Sequence, residues 1–356
     1  MMEDEDEDEE ALVLSDDLTD YHIISPITSA EGGRVMYKAY YIYDNGIFGI
    51  QHQIVQMICV KLSETEALDN LSSQLAHNYI STSSWDDTPR YGRMNNLLCR
   101  STFESRGYFC AVLDYMNHGS LLSLMVCRFP LGLPEFYILY ALCTALKALS
   151  VIHANSHRIP FHRQISAAHM YAIGYNGAII FKLGYAAMVH DLLEDQVSDS
   201  SASSVCRWAA APEVYEDDTR YGAEADIWLV GITALELAYG GLRLGGRDDL
   251  EHLIRIMHTK RRLPSKLNSE GCHCWEKERK RRELVLPFLL SCIPHSKKRT
   301  APTGFEYRPE ERVFSKGFVD LVLACLDLDP TKRPTASELI GYNIFDKVRD
   351  RTSLRL

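Results

Sequence analysis

Lysine and arginine are absent from the first 20 residues, which hold eleven acidic side chains. A secretory leader begins basic and then turns apolar, so no signal peptide is expected. The run from Glu3 to Glu10 repels itself and has nothing apolar to bury, so residues 1–20 are expected to form a disordered acidic tail. That tail either solubilises the chain or docks a partner. The net charge of −10 resides there, because the remaining residues carry 37 acids against 38 bases. Long uncharged apolar runs are scarce too. The best of them, Glu135 to Ile152, contains Lys147 and follows Pro134, and reads as a core helix rather than a membrane span. The ten cysteines are scattered through apolar segments. That argues against a disulfide framework and for reduced residues in a cytosolic chain. Cys272, Cys274, Cys292 and His295 are too irregularly spaced for a zinc site.

What is present is enough to build a large core: 356 residues, 46% of them hydrophobic. Four landmarks then occur in order. The first is Phe161-His162-Arg163-Gln164-Ile165-Ser166-Ala167-Ala168-His169-Met170. Ala211-Pro212-Glu213 follows, then Asp226-Ile227-Trp228 with Gly231, then Asp329-Pro330-Thr331-Lys332-Arg333-Pro334. Together they resemble the catalytic loop, the A-P-E end of the activation segment, the D-x-W-x-x-G helix and the D-P-x-x-R-P of protein kinases. The alternative is an accidental A-P-E in a helical protein. The resemblance implies an α+β, bilobal protein-kinase fold with a small β-rich N-lobe and a large helical C-lobe. The kinase-like domain spans 21–348, with the N-lobe about 21–116, the C-lobe about 117–348 and an insertion at about 264–312. A C-terminal tail, 349–356, follows. The resemblance gives structural work to His162, Arg163, Glu213, Asp226 and Arg333. Glu213 and Arg333 pair to close the C-lobe, and Asp226 receives N–H groups of the catalytic loop.

The chemistry of that loop is missing. A kinase places its base Asp where Gln164 stands and a metal-binding Asn where His169 stands. Ser166 stands where germinal-centre-type kinases carry Lys. A neutral amide takes no proton at pH 7, and imidazole is a poor ligand for magnesium. Counting from Gly177 puts Leu183-Gly184-Tyr185 on D-F-G, so that carboxylate is gone as well. Upstream, Val35-Met36-Tyr37-Lys38-Ala39 resembles the strand after a Gly-rich loop, whose glycine positions fall on Ser29, Glu31 and Arg34. Ile58-Cys59-Val60-Lys61 resembles V-A-I-K, making Lys61 either the phosphate lysine or a strand lysine reaching solvent. The helical stretch Leu68 to Tyr79 offers it no Glu, only Gln74. Cys110 to Met116 reads as the hinge strand, so Lys61, Leu113 and Tyr115 outline an expected ATP pocket. No metal is expected. The cofactor is ATP without magnesium, or none.

Gly231-Ile232-Thr233-Ala234-Leu235-Glu236-Leu237-Ala238 resembles the G-I-T-A-x-E-L-A of germinal-centre-type (Sterile-20-like) kinases. Within them, His162-Arg163-x-Ile165-x-Ala167-x-His169-Met170 is similar to the STRAD pseudokinases. The resemblance covers about residues 21 to 348. It implies a catalytically inactive allosteric activator or adaptor of a serine/threonine protein kinase, together with a helical-repeat scaffold protein. Two departures stand out: the chain has no Trp-Glu-Phe tail, and Lys61 is present. A divergent active serine/threonine kinase and a kinase-fold scaffold without a kinase partner are the alternatives. No nucleic acid or membrane partner is expected. Cytoplasmic placement follows from the cysteines. Lys277 to Arg282 with Lys297-Lys298-Arg299 reads as a nuclear import signal or as a solvated face. Ser198 to Ser204 reads as a phosphorylation segment facing Arg163 or as a flexible loop. Ser81 to Arg93 reads as an inserted loop.

Overall fold

The computed structural model describes residues 13–15, 19–27, 34–44, 49–69, 71–72, 75, 99–154, 161–175, 178–184, 207–216, 221–242, 244, 246–264, 267, 313–351 and 354–355. The acidic run, the glycine-loop positions Ser29 and Glu31, Gln74, Ser81 to Arg93, Ser198 to Ser204, the basic runs and the cysteines of the insertion lie outside them.

The N-lobe is one antiparallel sheet. Its strands are β1 (Val13–Ser15), β2 (Asp20–Pro26), β3 (Arg34–Asp44), β4 (Ile50–Lys61), β5 (Cys99–Ser105) and β6 (Tyr108–Asp114), in the order β1-β2-β3-β4-β6-β5. Alternation along β4 feeds two separate cores. Ile58 and Val60 pack with Leu71 and Leu75 of the following helical residues and with Met36, Ala111, Leu113, Met116 and Tyr171. Val55, Met57 and Cys59 pack on the opposite face with Leu14, Tyr21, Ala39, Cys110 and Val112. Leu14 is a correction to the expected tail boundary at residue 20. It is 1% exposed in β1, which pairs with β2. The sheet curls until its two ends meet, where the Ser15 N–H donates to Ser105 Oγ at 3.1 Å.

The C-lobe is helical: α1 (Leu121–Arg128), α2 (Glu135–Ala154), α3 (Pro212–Glu216), α4 (Ala223–Tyr239), α5 (Arg247–Lys260), α6 (Lys316–Cys325) and α7 (Ala336–Ile340). Helix α2 is long and apolar enough to cross a membrane, but 67% of that stretch is buried inside the lobe. It is the expected core helix. Gly231 lets α4 and α6 approach closely, since a Cβ there would lie 2.7 Å from Leu326 Cγ and 2.9 Å from Cys325 Cβ. Thr335 and Glu338 form a reciprocal capping box that starts α7 directly after Arg333-Pro334. Strands β7 (Met170–Tyr175) and β8 (Ala178–Leu183) floor the cleft between the lobes. The C-terminal residues do not trail free: β9 (Leu354–Arg355) pairs with Ile179 and Ala178 of β8.

Candidate functional site

The loop of His162 to His169 is held from below by one helix. Buried Asp226 of α4 accepts the N–H of His162 at 2.7 Å and of Arg163 at 2.8 Å. It also accepts the Tyr221 hydroxyl at 2.5 Å and lies 2.9 Å from His153 Nε2. Burial alone would raise its pKa, yet the hydrogen bond and charge of His153, with His162 and Tyr221, hold the carboxyl below its ordinary value. Two turns further along α4, the Thr233 hydroxyl contacts the Ile165 carbonyl at 3.1 Å. One turn beyond, Glu236 Oε2 accepts the Ala167 N–H at 2.8 Å. Positions 226, 233 and 236 fall on one side of a 3.6-residue helix. The loop backbone is thereby fixed without help from the side chains that chemistry would use.

Those side chains are turned to other ends. His169 is 1% exposed, and its Nδ1 lies 2.9 Å from Ser166 Oγ, also buried. The metal-ligand position and the lysine position of the loop therefore bond to each other inside the lobe. Leu183 sits in the C-lobe core at 1% exposure. Gln164, half-buried, donates its N–H to His162 Nδ1 at 3.3 Å. Arg163 adopts φ 68°, a left-handed conformation that costs a non-glycine residue energy, and its guanidinium lies 5.1 Å from the Tyr221 ring centre. Among the described residues of this loop, no side chain presents a carboxylate to a reacting hydroxyl.

Glu213 and Arg333 meet as expected. The pair is bidentate, at 2.6 and 2.9 Å, with the Arg333 side chain 0% exposed. Arg333 also donates to the carbonyls of Asp327 and Glu224 and lies over Trp228 at 5.0 Å. Trp228 in turn donates to the Ala209 carbonyl at 2.9 Å. Arg247, which the sequence did not single out, holds the same segment through the carbonyls of Trp208 and Ala210 and through the Tyr215 ring.

The expectation for Lys61 is corrected. It ends β4 in solvent, on the face shared by Cys59, opposite the face that packs on Leu71, Leu75 and Tyr171. The strand's two-residue period therefore aims it away from the cleft. The buried polar residue on the inner face is Gln56, 0% exposed, whose Oε1 accepts the Met116 N–H at 3.5 Å. The signal was in the sequence: one amide inside the otherwise apolar Val55-Gln56-Met57-Ile58.

Leu113 and Tyr115 do line the hinge. Leu113 packs in the cluster that joins the cleft roof (Met36, Ile58) to its floor (Tyr171, 0% exposed). Lys38 lies 4.9 Å over the Tyr115 ring. Across the cleft, Lys182 Nζ binds Asp114 Oδ2 at 2.8 Å, and Arg100 holds the other oxygen at 2.5 Å. Asn117 and Gly174 exchange hydrogen bonds of 2.9 and 2.7 Å. Roof, hinge and floor are thus tied by protein side chains. Gln56, His169 and Leu183 offer neither an ammonium nor a carboxylate, so these residues do not fit a magnesium nucleotide.

This geometry defines a protein-kinase fold with a braced catalytic-loop backbone and with Gln164, His169 and Leu183 at the base and metal positions. The sequence bears out the fold: residues 93–345 match the protein kinase domain family, and the chain belongs to it. Within that family it is similar to the STE20-related kinase adapter proteins. The alpha form of Rattus norvegicus is 29% identical over 261 residues, 71% of this chain and 65% of that protein. The alpha form of Bos taurus is 28% identical over 270 residues, 74% and 70%. The beta form of Homo sapiens is 26% identical over 259 residues, 71% and 60%. The chain thus spans roughly two thirds of the length of these relatives.

Proposed function

We propose that this protein is a catalytically inactive pseudokinase that acts by binding, as an allosteric adaptor of a partner serine/threonine kinase. One observation carries the reading. The catalytic-loop backbone is fully braced by Asp226, Thr233 and Glu236, while the base and both metal positions are Gln164, His169 and Leu183. Bracing is needed to hold a surface; the missing groups are needed only for chemistry. The relatives' names as kinase adapters favour the same reading. Activation requires that the protein bind the active arrangement of its partner more tightly than the inactive one. A helical-repeat scaffold protein completes the proposed assembly. Neither magnesium nor nucleotide drives the action, because side chains already tie the lobes together.

The test is reconstitution. Kinases co-purified from the native cell are assayed with and without this protein, and a higher partner rate supports the proposal. Label transfer from radioactive ATP by the purified chain alone, above a heat-denatured control, would overturn it in favour of a divergent kinase.

A further inference from the structure

Strand β4 outgrows its sheet. It pairs with β6 only from Val55 to Lys61, whereas its pairing with β3 continues to Ile50. Among the described residues, Ile50 to Ile54 has β3 on one side and no strand on the other. Such an edge is usually defended by charge, proline or a bulge. This one has no charged or proline residue, and its register with β3 is unbroken from Asp44–Ile50 to Arg34–Val60.

Ile50-Gln51-His52-Gln53-Ile54 reads the same in both directions. Antiparallel pairing with a second copy about His52 sets isoleucine opposite isoleucine, glutamine opposite glutamine and histidine opposite histidine. No formal charge is opposed, and side-chain sizes match in every pair. The apolar side chains share one face: Ile42 pairs with His52 and Tyr40 with Ile54. Ile50, Ile54 and Ile42 are 70%, 45% and 47% exposed. Tyr40 is stacked on His22 at 4.9 Å and tilted against His52 at 5.6 Å, so the face is ordered by its own rings.

We propose that two copies of the chain join β4 to β4 across a two-fold axis at His52, extending the N-lobe sheet from one molecule into the other. This stands apart from the adaptor reading and from any partner kinase. The isoleucines supply roughly 300 Å² per copy, below the ~800 Å² per partner of a standard stable interface, so the dimer is weak and concentration-dependent. An extended strand of another protein fits the same edge less well, since it need not match a palindrome.

Sedimentation velocity of the full chain at neutral pH, from about 5 to about 500 μM, reads the outcome. The sedimentation coefficient is expected to rise with concentration. His52→Lys and His52→Glu each set like charges at the axis and are expected to weaken association about tenfold or more. An equimolar mixture of the two is expected to recover it. A wild-type chain that stays monomeric throughout overturns the proposal. So do variants that associate like wild type, or a mixture that fails to recover association. His52 is exposed, and thermal melts confirm that the variants fold; Ile50→Lys provides an independent second block.

Discussion

Lys182 and Asp114 join the floor of the cleft to the end of the hinge strand, Nζ to Oδ2 at 2.8 Å. Their side chains are only 17% and 24% exposed, so the pair is weakly screened. Burial opposes the Asp114 charge, but Lys182 and then Arg100 hold its pKa below the ordinary 3.8. A lowered carboxylate pKa adds stability above the unfolded value, and that stability is lost as pH falls through the folded one. Lys182→Met is expected to cost about 1–3 kcal/mol near pH 7 and progressively less below about pH 4. Thermal melts across that range check it.

The same tie predicts how the protein meets nucleotide. ATP is expected to leave the melting temperature unchanged, and added magnesium to change nothing further. A ligand that binds only the folded state at ~100 times its Kd would add ~2.7 kcal/mol, a shift easily read. A magnesium-dependent rise would show a metal ligand outside Gln164, His169 and Leu183.

Lys61→Ala is expected to be silent, within about 0.5 kcal/mol, because its side chain leaves the sheet into solvent. Gln56→Lys is the informative change. It places an ammonium at a position that is 0% exposed. Such a group is expected to destabilise by several kcal/mol or to lose its proton. Denaturant melts of the two variants decide between the inner and the outer face.

Glu213→Ala strands a fully buried guanidinium, at an expected cost of about 3–5 kcal/mol. It is also expected to loosen the segment around Ala209 that Trp228 and Arg333 jointly fix. With Glu213 intact, Arg333→Lys is expected to keep little of the pair, because an ammonium cannot form the bidentate contact. Chemical denaturation gives the cost, and hydrogen exchange at residues 207–216 locates it.

Glu236 gives a second pH signature, of opposite sign. Burial pushes its carboxyl up to about 7, against the pull of the Ala167 N–H. For a raised pKa, the contribution is fully present below the unfolded value of 4.5 and lost as pH rises through 7. Glu236→Gln keeps an acceptor for Ala167 and removes the charge. It is expected to be more stable than wild type at pH 8, by roughly 1–3 kcal/mol, with the gain vanishing toward pH 4.5. A constant difference across that range would mean that the group does not titrate there.

The C-lobe was legible because its landmarks are structural. Asp226, Glu213 and Arg333 do geometric work, and a motif that encodes a buried hydrogen bond does not depend on catalytic residues beside it. The helices of 135–152 and 226–239 announced themselves by apolar residues round most of their surface. The N-lobe was harder. In a strand, an alignment slip of an odd number of residues exchanges the two faces, and Val60-Lys61 matches the kinase motif while Gln56 lies on the face opposite Lys61. Lys182 and Tyr171 escaped notice because their partners lie 68 residues away at Asp114 and across the cleft at Met36 and Leu113. Nothing local in the sequence records such contacts. Strand β1 was hidden beside the acidic run, where three residues carry little periodic signal.

That short strand sets a clock on synthesis. Leu14 is buried only when β2, β4 and β6 are in place, and Ser15 finds Ser105 90 residues later. At a ribosomal pace of about 5–20 residues per second, the first strand waits roughly 5–20 s for the last partner that closes its sheet. Until then Leu14 and the Val55, Met57 and Cys59 face of β4 stand open to other chains. Eight consecutive acids, Glu3 to Glu10, stand just ahead of that strand in the order of synthesis.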